Sequence, residues 1–222
     1  MSIIGFIGSG NVGQALARAV IGRGHEVIMS NSRGPSTLSA LIGVLGQRAR
    51  AGSAAEAVEQ ADIVVLAIPF TSIDQLPAAA INGKVVVDAT NYWASRDGHI
   101  AVIDSGDTSS SEMVAERLPG ARIVKAFNSI MAADINQHAR PSGRAGRRAI
   151  PIAGNDPTSK EIVAALIDEV GFDVVDLGRL AAGRSIDPLD AWGSPLGAME
   201  TETLMRTRLT QLSTPKRRVR SE

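Results

Sequence analysis

The chain has 222 residues, 44% hydrophobic and 21% charged, with 23 basic residues balanced by 23 acidic ones. That composition sustains a buried core and argues against a disordered chain or a basic nucleic-acid coat. The absence of cysteine excludes disulfides, thiolate-held zinc, iron–sulfur clusters and a thiol nucleophile, and 3% aromatic content is thin for base stacking.

The first strand expected is Ile3–Ile7. Met1 to Gly8 is apolar but short and has no basic flank, and no stretch approaches the roughly 18–20 apolar residues that span a bilayer. A soluble, cytoplasmic protein is therefore expected. A helix over Val12–Gly22, a strand over Glu26–Met29 and a helix over Ser36–Leu45 follow. Arg48–Ala51 is a weakly written strand, and Ser53 with Glu56 has the capping-box spacing that opens a helix to Glu59. Ile63–Ile68 and Val85–Asp88 are continuous apolar runs, as in strands covered on both faces.

Asn91–Ser109 is a long loop rich in Ser, Asp and Gly, either functional or a solvated insertion. A helix over Ser110–Leu118 and strands over Arg122–Ala126 and Ala149–Ala153 come next. Asn155-Asp156-Pro157 starts a helix that Gly171 ends, and Phe172–Val175 is a last strand. Gly178–Pro195 is irregular, Leu196–Leu209 is a short helix candidate, and the basic residues 215–222 read as a solvated end. The alternation predicts an α/β fold: a Rossmann-type, doubly wound, mostly parallel sheet with a short C-terminal helical extension. Residues 1–183 form the expected NADP-binding domain, and 184–222 an extension with a basic tail.

Gly8-Ser9-Gly10-Asn11-Val12-Gly13 is G-x-G-x-x-G placed directly between a strand and a helix, the context that gives this motif its meaning. Gly8 permits the tight turn, Gly10 lets the backbone approach a pyrophosphate, and Gly13 lets helix and strand pack closely. The free N–H groups around Asn11 and Val12 suit the phosphates. An NAD site usually places a carboxylate at the end of the second strand. Here stand Ser30, Asn31, Ser32 and Arg33, a set suited to a 2′-phosphate and hence to NADP(H). Ala67, Ile68, Pro69 and Phe70 end one later strand, and Thr90 with Asn91 follows another, at the carboxyl edge where ligands bind.

No Ser-His-Asp set, nucleophile elbow or P-loop lysine is visible, and His25, His99 and His138 are too scattered for a metal site. No catalytic residue and no metal ligand is assigned. Lys125 is the one lysine near the expected cleft, either a general acid or, more in keeping with its place, a packing or partner residue. The lack of an acid–base set fits direct hydride transfer between two bound rings, which needs orientation above all, better than a carbonyl or alcohol dehydrogenase.

Together with His25-Glu26-Val27, Val124 to Ile130, Ile152 to Asp156 and Gly171-Phe172, these motifs resemble the NADPH-dependent reductases of the deazaflavin coenzyme F-420 (F420), over Ile3 to about Gly183. The same set resembles the NADPH-oxidising domain of six-transmembrane metalloreductases. The resemblance implies NADP(H) as cofactor, with F420 as hydride partner, and puts Asn128, Ser129 and Ile130 beside the second ring. Archaeal members carry His where this chain has Asn128, a departure that bears on the acceptor and not on NADP. The resemblance also implies a homodimer, with Trp192 and Leu196–Leu209 reaching the partner's pocket. A plain core or surface place for Trp192 stays open. Two other readings stand beside hydride exchange with F420: an NADPH reductase of flavin, ferric ion or a small metabolite, and a non-catalytic NADP(H) sensor. Classical β-hydroxyacid dehydrogenases share the fingerprint but need a long helical domain, for which too few residues follow Val175.

Overall fold

The computed structural model describes residues 1–187 and 201–213, with the side chains of 208, 209 and 211–213 left out. Trp192, the first residues of the expected helix at Leu196 and the basic tail lie outside the described residues. Eight strands form one sheet in the order β3-β2-β1-β4-β5-β6-β7-β8. They are β1 (Ile3–Ile7), β2 (Glu26–Ser30), β3 (Ala49–Ala51), β4 (Ile63–Leu66), β5 (Val85–Asp88), β6 (Arg122–Lys125), β7 (Ala149–Gly154) and β8 (Asp173–Asp176).

Side chains alternate across this sheet and build two apolar layers. Ile4, Phe6, Met29, Val65, Val87 and Val124 face one side, where α1 (Asn11–Ile21) and α2 (Ser39–Leu45) pack. Ile7, Val64, Leu66, Val86 and Ile123 face the other. There they meet α3 (Ala54–Glu59), α4 (Ala78–Ile81) and a later helix from Ser110. Continuous runs such as Val85-Val86-Val87 are thus read on both faces at once, the reason they carry no polar alternation. The capping box expected at Ser53 is formed: its hydroxyl accepts from Glu56 N–H, and the Glu56 carboxylate accepts from Ser53 N–H.

The loop Asn91–Ser109 has more order than its composition predicts. It contains two one-turn helices, α5 (Ala94–Asp97) and α6 (Ala101–Asp104). Their organiser is Tyr92, which is buried beneath them. Its hydroxyl accepts from Ile100 N–H and lies 2.8 Å from Asp104 Oδ1 and 3.0 Å from Gly98 O. Burial first, then Asp104, pushes the Tyr92 phenol above its ordinary pKa. Helix α7 (Ser110–Arg117) closes the segment with a second capping box, Ser109 with Glu112.

After β6 the structure departs from a uniformly parallel sheet. β7 pairs antiparallel to β6, and β8 is parallel to β7. The intervening chain, with helix α8 (Ala132–His138), packs against α1 and enters β7 from the edge that β6 has just left. A parallel partner would require a crossover back to the opposite edge. Hydrophobic runs do not encode this choice, because both directions bury the same side chains. Helix α9 (Pro157–Val170) starts as expected, with Asp156 capping Ser159 N–H. A 3-10 turn, Leu180–Ile186, folds back over β7, and helix α10 (Glu202–Ser213) covers the later part of the expected Leu196–Leu209 and runs past it. Among the described residues no helix is long and apolar enough to cross a membrane.

Candidate active site

The register brings the functional segments together. Ile7 pairs with Ser30 and with Leu66, Leu66 with Asp88, and Asp88 with Lys125. Five strands therefore end level, and the chain leaves them at one edge through Gly8, Asn31, Ala67, Ala89 and Ala126.

At the centre is the glycine-rich turn. Gly8 has φ +111°, and a Cβ there would lie 2.2 Å from Ala67 O. A Cβ at Gly13 would lie 2.2 Å from Gly8 O, so helix, turn and neighbouring strand touch backbone to backbone. Gly10 differs, since a Cβ there would meet nothing within 4 Å. The space in front of it is open, and Gly10 gives α1 no side-chain cap. The N–H groups of the first turn of α1, which also lacks acidic residues, thus face that space. Ser9 is half-buried, and its carbonyl accepts from Gln14 Nε2 at 2.9 Å, bracing the turn. These features fit a dinucleotide pyrophosphate: an open approach, uncapped donors and the positive end of an eleven-residue helix.

The end of β2 contains no carboxylate. Asn31 Oδ1 accepts from Arg33 N–H at 3.0 Å, and Asn31 Nδ2 donates to Thr37 Oγ1 at 3.0 Å. Ser32 and Arg33 are exposed, and among the described residues the Arg33 guanidinium has no carboxylate partner. Ser30 is corrected by the structure: it is fully buried and donates to Phe6 O at 2.8 Å, so its hydroxyl is not offered to a phosphate. Phe70 is likewise turned away from the edge. It is 2% exposed and packs edge-on against Tyr92, with ring centroids 5.7 Å apart. Ala67 and Ile68 stay half-buried beside the turn, and Pro69 is exposed. Thr37, which holds Asn31, has no signal in the sequence beyond its hydroxyl.

At the far end, Asn91 and Asn128 face each other. Asn91 Nδ2 donates to Asn128 O at 2.9 Å, and Asn128 Nδ2 donates to Asn91 Oδ1 at 3.2 Å and to Ile186 O at 2.7 Å. Asn128 Oδ1 is buried and has no hydrogen-bond partner. Phe127 makes this meeting possible: its φ of +61° is the only positive value among the described non-glycine residues, and it turns the chain back after β6. Such a conformation costs about 1–3 kcal/mol and survives where packing enforces it, here by burial of the Phe127 ring.

Lys125 is the largest surprise. It is fully buried, and its Nζ donates to Thr90 O at 3.0 Å, Ser110 Oγ at 2.9 Å and Asp187 Oδ1 at 2.9 Å. Asp88 Oδ2 lies 3.6 Å away. Burial disfavours the ammonium, but Asp187 and then Asp88 hold its pKa above the ordinary lysine value. With all three protons engaged and the charge so held, Lys125 is no general acid. Asp88 is itself saturated, accepting from Thr90 N–H and Oγ1 and from Ser111 Oγ. An acid at the end of an apolar strand marked Asp88 in the sequence; nothing there marked Asp187. Among the scattered histidines, His99 pairs with Asp104, and His138 lies 3.2 Å from Arg148 and 3.8 Å from Asp134.

A glycine-rich strand-to-helix turn, a second strand that ends without an acid and a level carboxyl edge give this sheet the form of a Rossmann-type dinucleotide-binding fold. Residues 3–92 match the family model described as NADP oxidoreductase, coenzyme F420-dependent. A hypothetical protein, SMa0349 of Sinorhizobium meliloti, superposes with a TM-score of 0.73 at 37% identity, covering 87% of this chain and 95% of that one. A putative F420-dependent NADP-reductase from Arthrobacter sp. FB24 superposes at 0.70 with 26% identity, over 83% and 87% of the two chains. The rat metalloreductase STEAP3 is 29% identical over 187 residues, 84% of this chain. That match is 36% of the relative's length, so the chain spans about a third of the curated relatives it resembles.

Proposed function

We propose that this protein moves hydride between NADP(H) and the deazaflavin coenzyme F420. In this reading Gly8, Ser9, Gly10, Asn11 and Val12 hold the pyrophosphate, and Asn31, Ser32 and Arg33 hold the 2′-phosphate. Ala67, Ile68 and Pro69 flank the nicotinamide, and Asn91 with Asn128 forms the floor between the two rings. The observation that carries it is the Lys125 cluster. Lys125, the one lysine near the edge among the described residues, has its ammonium protons taken up by Thr90 O, Ser110 Oγ and Asp187, so it is not placed to hand a proton to a substrate. Direct ring-to-ring transfer needs no such donor: a hydride leaves the dihydronicotinamide, and the accepting ring takes one further proton from water. The protein's task is then alignment of the two rings. The likeness to the Arthrobacter protein, named a putative F420-dependent NADP-reductase, supports the same acceptor.

The similarity to metalloreductases favours a second reading, in which the same nucleotide site reduces a flavin or ferric ion. The two separate in one assay. Purified protein and NADPH are mixed in parallel with F420 and with FMN, and the loss of NADPH absorbance is followed. Turnover with F420 alone is expected. Turnover with FMN alone would select the second reading, and tight NADPH binding with no turnover in either would leave a sensor.

The nucleotide half is tested separately by Arg33→Ala. Loss of a charge-assisted contact should weaken NADPH about 10- to 100-fold. NADH, which lacks the 2′-phosphate, should change by less than about twofold. Equal losses for the two nucleotides, measured by fluorescence titration, would show that Arg33 does not read the phosphate.

A further inference from the structure

A closed ring of polar contacts runs beneath the Asn91–Asn128 floor. Lys125 Nζ donates to Thr90 O, next to Asn91. Asn91 pairs with Asn128, and Asn128 Nδ2 donates to Ile186 O. Asp187, the next residue, returns to Lys125 at 2.9 Å. Ser110 bridges the closure, since its hydroxyl accepts from Lys125 and donates to Asp187 Oδ1 at 2.8 Å. Three segments far apart in the chain are thereby held to one another by a single buried ammonium. The carboxylates outnumber it. Asp88 and Asp187 both face Lys125, and Asp88 has only donors around its oxygens, as an ionised carboxylate requires.

We propose that Lys125 and Asp187 are positioning residues for the nicotinamide end of the cofactor, fixing the Asn91–Asn128 floor and placing behind it one negative charge that no further cation balances among the described residues. The inference rests on the reading that this floor underlies the nicotinamide. Geometry and charge then act together. The ion pair sets where Asn128 Oδ1, the one buried side-chain acceptor left open among the described residues, stands. The surplus charge favours the oxidised ring, which is cationic, over the neutral reduced ring. Developing positive charge on the nicotinamide as hydride departs is favoured in the same sense.

The test is Asp187→Asn, which keeps the size and one acceptor oxygen for Lys125 and Ser110 and removes the charge. The readout is the ratio of dissociation constants for NADP+ and NADPH, by titration of the purified protein. The adenine half and the phosphates are common to the two forms and cancel. Loss of the surplus charge should weaken NADP+ by roughly three- to tenfold while NADPH changes by less than about twofold. Asp187→Glu, which restores the charge, should recover the wild-type ratio. An unchanged ratio in Asp187→Asn, or equal losses for both forms that follow its thermal stability, would overturn the proposal and leave Asp187 a purely structural residue. The ratio needs no acceptor, so absence of F420 turnover in the wild type would overturn the proposed function without deciding this point.

Discussion

Lys125→Met is expected to lower the stability of the fold by about 3–5 kcal/mol, because it leaves Asp88 and Asp187 facing each other without their cation. Methionine fills nearly the same volume, so the loss is electrostatic and not a cavity. Thr90 O and Ser110 Oγ lose their donor as well, and Thr90 O sits beside a fully buried side chain. The check is a urea titration, in which the midpoint should fall with the slope unchanged. A loss below about 1 kcal/mol would mean that the cluster relaxes by taking up a proton or water. A domain of this size has only about 5–15 kcal/mol in total, so the expected loss is a large share of it.

The second large effect is at the glycine-rich turn, where two substitutions should behave differently. Gly13→Ala brings a methyl group to within 2.2 Å of Gly8 O. Gly8 cannot retreat, because its own α-carbon is backed by Ala67 O. The helix must move off the turn, at a cost of about 1–3 kcal/mol, and NADPH binding should weaken by about 100-fold as the donors shift. Gly10→Ala meets nothing in the protein. It should leave stability within about 0.5 kcal/mol of the wild type. Its methyl group occupies the space proposed for the pyrophosphate, so affinity should still fall. Thermal unfolding and NADPH fluorescence titration measure both. If Gly10→Ala binds NADPH normally, the phosphates do not lie against Gly10.

Much of this architecture is legible in the sequence, since continuous apolar runs and glycine punctuation carry the signals of a buried sheet. β3, though only three residues long, lies within the expected Arg48–Ala51. What was not legible has physical reasons. The direction of β7 depends on where the preceding chain returns, not on its side chains. Helix α8 buries only Ile135 fully, too weak a stripe to show periodicity. α5 and α6 exist because Tyr92 gathers distant polar groups beneath them. In the site, Ser30 and Phe70 belong to the expected segments but point inward, because side-chain direction at a strand end follows the pleat and the core. The Asp187–Lys125 pair spans 62 positions of sequence and leaves no local trace.

The level strand ends also measure a length. From β2 to β6 there are four strand spacings, roughly 19 Å along the edge. Arg33 leaves from one end of that ruler and Asn128 from the other. Groups this far apart, with no shared partner, contribute to binding additively. In the proposed function, where Arg33 reads the nucleotide and Asn128 lies beside the acceptor, nucleotide preference and choice of acceptor are thus thermodynamically separate. Either can be changed without re-tuning the other, and a lineage built on this sheet can change its redox partner while keeping its cofactor.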